Sequence, residues 1–234
     1  MGGGLTGAPV IIEATRTPRG IGKPGGALHP LRPADLLAAH LKALDERINL
    51  NFLDPTDAVI GCVTQTGEQG GNIGKVATLL AGMSARLSAV TINRYCASGL
   101  SAVQFASYQA MATDGFALAG GVEMMSHVPI FGDQAPHYSE KELSEAIGFM
   151  PPPWTSDIIA TRHRYSRQRC DEYAALSQER ALWARANLAM PSMLLVRNAA
   201  GEVLLDKDET PRADTSMERL AKLRTIYEGG KCAM

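Results

Sequence analysis

The sequence is short of several things that define protein classes. It has little net charge, 23 basic against 24 acidic side chains for a formal −1, which gives no electrostatic basis for binding nucleic acid or an anionic membrane surface. It has only four cysteines, Cys62, Cys96, Cys170 and Cys232, far apart and without a CxxC pair. The five histidines do not fall at metal-ligand spacing from them, so neither a zinc site nor a disulfide framework is expected, and the thiols read as reduced. No apolar run approaches the roughly 18 residues of a membrane span. Met1-Gly2-Gly3-Gly4 lacks the basic and apolar regions of a secretory leader. A cytoplasmic protein is expected. Aromatics are sparse at 6%, yet 45% of residues are apolar, too many for a disordered chain.

What is present is alternation. Ala8–Ala14, Asp57–Val63, Ala89–Asn93 and Phe116–Val122 are short β-branched or small apolar runs that read as strands. Between them lie helical periodicities from Asp35 to about Arg47, with Pro33 at a first-turn position, then Ile73–Ala81 and Cys96 to about Thr113. Apolar strands alternating with helices predict right-handed βαβ units and a mainly parallel sheet flanked by helices, with the site at the carboxyl ends of the strands. The expected fold is therefore an α/β core over 1–125. Beyond it, over 126–234, prolines break the pattern. An irregular, mostly helical region is expected there, with helices at Thr155–His163, Ser166–Asn187 and Ser216–Arg224. A hairpin of Met193–Val196 with Glu202–Asp206 turns across Asn198–Gly201.

Two glycine motifs carry no nucleotide chemistry. Gly20-Ile21-Gly22-Lys23-Pro24-Gly25 matches GxGxxG, but the preceding strand ends too early and the helix starts too late to aim amides at a pyrophosphate. Gly74-Lys75 is not a P-loop, because Gln69 stands at the first glycine and Val76 at the Ser/Thr position.

The informative segment is Asn93-Arg94-Tyr95-Cys96-Ala97-Ser98-Gly99-Leu100-Ser101-Ala102. It sets a cysteine where a buried strand meets a helix of small residues. The partial positive charge and free N–H groups of a helix amino terminus favour thiolate over thiol, and the N–H groups there, that of Cys96 included, are suited to holding an oxyanion. The competing reading is that Cys96 is a small buried hydrophobe, as most unpaired cysteines are.

These residues bring the chain close to a known family. Glu13-Ala14-Thr15-Arg16-Thr17-Pro18, Gly61-Cys62-Val63-Thr64-Gln65, the Cys96 segment, Gly120-Gly121-Val122-Glu123-Met124-Met125-Ser126 and Leu220-Ala221-Lys222-Leu223-Arg224 occur in the order seen in thiolases. The chain resembles the amino-terminal half of these acyl-CoA C-acyltransferases over nearly its whole length. The resemblance implies that Cys96 attacks a 3-ketoacyl-CoA, that acetyl-CoA leaves an acyl-cysteine, and that a second coenzyme A takes the acyl group. Coenzyme A is then a co-substrate and no further cofactor is implied. Arg224 matches an arginine near the coenzyme A nucleotide, although an exposed Arg at a helix end is the commoner explanation. The region after 125 matches the family's loop domain, and a homodimer or homotetramer is implied.

The resemblance also has gaps. The family's Asn-x-Asn-Gly-Gly, Gly-His-Pro and Cys-x-Gly-x-Gly motifs, which supply the activating histidine and a second cysteine, do not occur in these 234 residues. His127 has no catalytic counterpart in the family. The expectation is an isolated half that lacks turnover, works with a separate carboxyl-terminal half, or serves as a non-catalytic module that oligomerises or binds coenzyme A.

Overall fold

In a computed structural model the described residues are 7–226, 230 and 231. They form two compact units. The first comprises residues up to 133 together with 191–209, and the second 134–190 together with the residues from 210 on.

The centre of the first unit is strand β1, Asp57–Gly61, buried at all but its first residue. It pairs in parallel with β2, Ser88–Ile92, on one side and β3, Ala117–Gly121, on the other, with Val59 opposite Val90 and Ala119. Alternation along β1 divides the core. Ala58 and Ile60 face Leu37 and Leu41 of helix α1, Pro33–Ile48, Leu50 of the short helix α2, Leu50–Leu53, and Ala77 of α3, Ile73–Leu80. Val59 faces the opposite layer, Ala102 and Ala106 of α4, Ser98–Thr113. Helix α3 links β1 to β2, and α4 carries the chain from β2 back over β1 to β3. The two crossovers run in opposite directions, which puts their helices on opposite faces, as right-handed connections require. This is the expected α/β arrangement of a parallel sheet flanked by helices.

Local chemistry sets the ends. Pro33 opens α1, Arg32 pairs with Asp35 at 2.6 Å, and Asn49 closes the helix with φ +53°. Asn72, also left-handed at φ +57°, caps α3 by accepting from the Lys75 amide. The ammonium of Lys75, half of the Gly74-Lys75 pair, donates to the carbonyls of Leu87 at 2.6 Å and Ala85 at 3.0 Å, a structural use of the charge.

Two sequence expectations need correction. Ala8–Ala14 is not a strand. Val10, Ile11 and Ile12 are 82%, 74% and 55% exposed, and no strand ladder reaches them among the described residues. A β-branched run becomes a strand only where another strand satisfies its amides and carbonyls. The chain gains such contacts only at Arg16, whose N–H donates to Ser192 O at 2.9 Å and whose carbonyl accepts from Leu194 N–H at 2.8 Å. For the same reason the expected hairpin is shorter. Residues 192–194 are used on Arg16, leaving β4, Val196–Arg197, antiparallel to β5, Val203–Leu205. Its turn forms as the sequence indicates, with Asn198 Oδ1 accepting from Ala200 and Glu202 amides and Gly201 at φ +84°. Val196 and Leu205 then pack on Leu28, Leu36 and Met124 in the first unit.

The second unit holds α5, Lys141–Ala146; α6, Pro152–Arg162; α7, Arg167–Asn187; and α8, Met217–Ala221. Ser166 and Ser216 cap α7 and α8 by accepting from the amides of Arg169 and Arg219. Arg167 pairs with the buried Asp171 at 2.9 Å and donates to Leu220 O, joining α7 to α8. Among the described residues no helix is long and apolar enough to cross a membrane.

Candidate active site

Cys96 lies beyond the carboxyl end of β2, in the turn that enters α4. The turn is built by short-range bonds. Asn93 Oδ1 accepts from the Tyr95 amide at 2.8 Å, and Tyr95 takes φ +47°, a conformation that costs a bulky residue energy. The buried Ser98 Oγ accepts from the Arg94 amide at 2.8 Å and donates to Tyr95 O at 2.6 Å. Ala97 is the helix N-cap and makes no side-chain cap, so the first-turn amides of α4 take no side-chain acceptor. Helix α4 therefore starts at Ser98, two residues after the expected start at Cys96, because Tyr95 and Cys96 are used in the turn. Cys96 itself is exposed and unpaired, against the alternative of a buried hydrophobe. Among the described residues no side chain hydrogen-bonds its thiol.

Close packing places this turn against the sheet. A Cβ added to Gly61, the last residue of β1, would lie 2.6 Å from the Ser98 carbonyl carbon and 2.8 Å from Gly99 N. Only glycine lets the α4 start sit on β1 so closely. The buried Ser101 and Ala102 continue the same seam.

The next residue along the chain, Cys62, is the opposite kind of thiol. It is 1% exposed, and burial, reinforced by the negative charge of Glu123, pushes its pKa up to about 12. It is a protonated, shielded group, whereas Cys96 is exposed.

The loops around the turn are tied together by side chains that sequence reasoning did not single out. Glu123 accepts from the amides of Val63 at 2.9 Å and Thr64 at 3.4 Å and from Gln69 Nε2 at 2.7 Å. Gln69, fully buried in the 3-10 turn Gly67–Gln69, also donates to Thr64 O and accepts from the Met124 amide. Asn93 Nδ2 donates to Val63 O at 3.0 Å, joining the Cys96 turn to the same loop. The sequence signal was the place of Glu123 inside the Gly120–Ser126 block and of Asn93 at the head of the Cys96 segment; Gln69 lies in none of the blocks.

His127 is not placed to serve as a base. Its Nδ1 lies 2.7 Å from Glu68 Oε2 and its Nε2 2.7 Å from His29 O. Both partners accept, so the ring is held as an imidazolium donating from both nitrogens. The His29 carbonyl, followed by Glu68, raises its pKa above the ordinary imidazole value. The Gly20–Gly25 stretch is loop, with α1 beginning only at Pro33, and presents no helix start to a phosphate. Arg224 lies three residues after α8 in the second unit, exposed, and without an ion pair to a described residue. Cys232, in the last block of the chain, lies outside the described residues. Among the described residues no three His, Cys, Asp or Glu side chains converge as a metal site.

The strand leading to Cys96, β2, is partly exposed rather than buried as expected, since among the described residues β1 covers only one of its edges and Val90 is open to solvent. An exposed cysteine in the turn before α4 and the glycine-tight seam of α4 on the buried β1 are suited to covalent catalysis by a thiol. Comparison with known proteins bears on which kind. The family model described as "Thiolase, N-terminal domain" matches residues 9–232. A beta-ketoadipyl-CoA thiolase of Pseudomonas aeruginosa is 36% identical, over 92% of this chain and 59% of that protein. The 3-ketoacyl-CoA thiolases of Aeromonas hydrophila and Vibrio cholerae are each 38% identical, over 94% of this chain and 58% of those proteins. The chain thus spans a little under three fifths of the length of these curated relatives.

Proposed function

The chain belongs to the thiolase family, and on that premise we propose that it accepts an acyl group from an acyl-coenzyme A thioester on Cys96. The observation that carries this reading is the exposed, unpaired thiol of Cys96 in the turn before α4, while burial keeps the thiol of Cys62 protonated. In the full reaction the Cys96 sulfur adds to the 3-keto carbonyl carbon. The bond between that carbon and the α-carbon breaks, and its electron pair stays on the α-carbon. A proton taken there completes acetyl-CoA, leaving the acyl group on sulfur. The thiol of coenzyme A then attacks the thioester and Cys96 regains its proton. Coenzyme A is the co-substrate. Arg224, exposed and without an ion pair to another described residue, carries the kind of charge its phosphates take.

Both half-reactions need proton transfer, and proton transfer by a placed group contributes typically about 10² to 10⁴-fold. Among the described residues Cys96 has no such partner, and both nitrogens of His127 are engaged. That favours a second reading for the chain by itself: it is acylated but does not turn over unless a carboxyl-terminal thiolase half supplies the base. Incubation with acetyl-CoA or a 3-ketoacyl-CoA, followed by peptide mass spectrometry, is expected to place the adduct on Cys96. An adduct elsewhere, or none, refutes the assignment. Thiolysis measured with and without an added carboxyl-terminal half separates the two readings, since turnover by the chain alone defeats the second.

A further inference from the structure

We propose that Glu123 is a positioning residue: its carboxylate fixes the loop after β1 and, through it, the turn that presents Cys96. The proposal rests on the reading of Cys96 as the acyl acceptor. The geometry beneath it stands apart from that reading.

Three donors converge on this one side chain, the amides of Val63 and Thr64 and the Nε2 of Gln69. Among the described residues the two amides have no backbone acceptor, so a side chain from just past the carboxyl end of β3 holds the loop leaving β1. Gln69 reinforces the arrangement from a fully buried position, joining Glu123, Thr64 O and the Met124 amide. The held loop in turn holds the nucleophile turn. Val63 O accepts from Asn93 Nδ2, and Asn93 Oδ1 accepts from the amide of Tyr95, the residue before Cys96. An unbroken series of hydrogen bonds therefore runs from Glu123 to the residue adjoining Cys96. A carboxylate suits this place because both of its oxygens only accept. A glutamine would turn an NH₂ group toward at least one of the donors.

The charge has a second effect. Cys62 directly precedes Val63, and Glu123 disfavours a thiolate there. An ionised Cys62 would be a second nucleophile. Burial shields it, and the Glu123 charge adds to the cost of a thiolate there while the loop is held.

The experiment uses the full chain with iodoacetamide as the thiol probe, read by peptide mapping, and amide hydrogen exchange alongside. In the unsubstituted chain Cys96 is expected to be alkylated and Cys62 spared, with the Val63 and Thr64 amides protected about tenfold or more over free-loop rates. In Glu123→Gln, protection at those two amides is expected to fall by about tenfold. Cys62 alkylation should rise several-fold relative to Cys96, while the Val59 and Ile60 amides keep their rates. A carboxylate that did not hold the loop after β1 would leave the partition between the two cysteines unchanged. Free-loop exchange at Val63 and Thr64 in the unsubstituted chain overturns the proposal, as does an unchanged cysteine partition in Glu123→Gln. If that variant loses protection throughout β1, exchange in the unsubstituted chain decides by itself. Since iodoacetamide replaces acyl-CoA, failure of Cys96 to accept an acyl group would refute the proposed function and leave this result readable.

Discussion

Replacing Gly61 by alanine tests whether the sheet positions the nucleophile. The added Cβ would meet backbone atoms, the Ser98 carbonyl carbon at 2.6 Å and its oxygen at 2.8 Å, with no flexible side chain to swing aside. Carbon atoms settle at about 3.5 to 4.0 Å, so the start of α4 must retreat by ~1 Å or β1 must bend. Overpacking of this kind costs about 1–3 kcal/mol. Moving α4 also separates Ala102 and Ala106 from Val59, adding lost contact to the strain. The displacement falls on the turn that carries Cys96, and a misplacement of ~1 Å can cost about 100-fold in a reaction that depends on alignment. Urea unfolding, with the acylation rate of Cys96 followed by mass spectrometry, reads both effects. The expected outcome is a lower midpoint at unchanged slope and a fall in acylation larger than any fall in iodoacetamide labelling, which needs no docked substrate. Unfolding within about 0.5 kcal/mol of the unsubstituted chain, together with unchanged acylation, would refute the argument that this seam is tight.

Other outcomes follow from the same structure. Native-state alkylation is expected to modify Cys96 and spare Cys62, and only denaturant should equalise them; mapping of labelled peptides checks this. Gln69→Leu keeps the volume but strands the Met124 amide, at about 1–3 kcal/mol, measurable by denaturant unfolding. The His127 imidazolium has a raised folded-state pKa, so its stabilisation is complete below the ordinary imidazole value of 6.5 and fades as pH rises through the folded one. The stability gap between the unsubstituted chain and His127→Gln should therefore narrow from about pH 5.5 to about pH 8.5. A gap that widens over that range reverses the assignment of charge.

Much of the first unit was legible as pattern. Asp57–Gly61, Ser88–Ile92 and Ala117–Gly121 are each found within or close to the runs that announced them, and the central one is buried on both faces, as its continuous apolar run indicates. Pro33, Asn198 and Ser216 marked ends and turns through their own local chemistry. Ala8–Ala14 misled because its composition is that of a strand while its partner is not among the described residues.

The order of the residues also singled out Cys96, since a cysteine between an apolar strand and a small-residue helix is a local statement. Local order does not say that Cys96 is exposed and Cys62 buried, for both follow an apolar run closely. Their difference arises only when distant segments meet. Burial shields Cys62, and Glu123, sixty residues further along the chain, reaches back to the amide next to it at 2.9 Å. Accessibility, ionisation and the tight contact of Gly61 with Ser98 are sums over neighbours in space. The sequence by itself determined which residues carry a thiol, and the tertiary structure decided which thiol faces solvent in position to react.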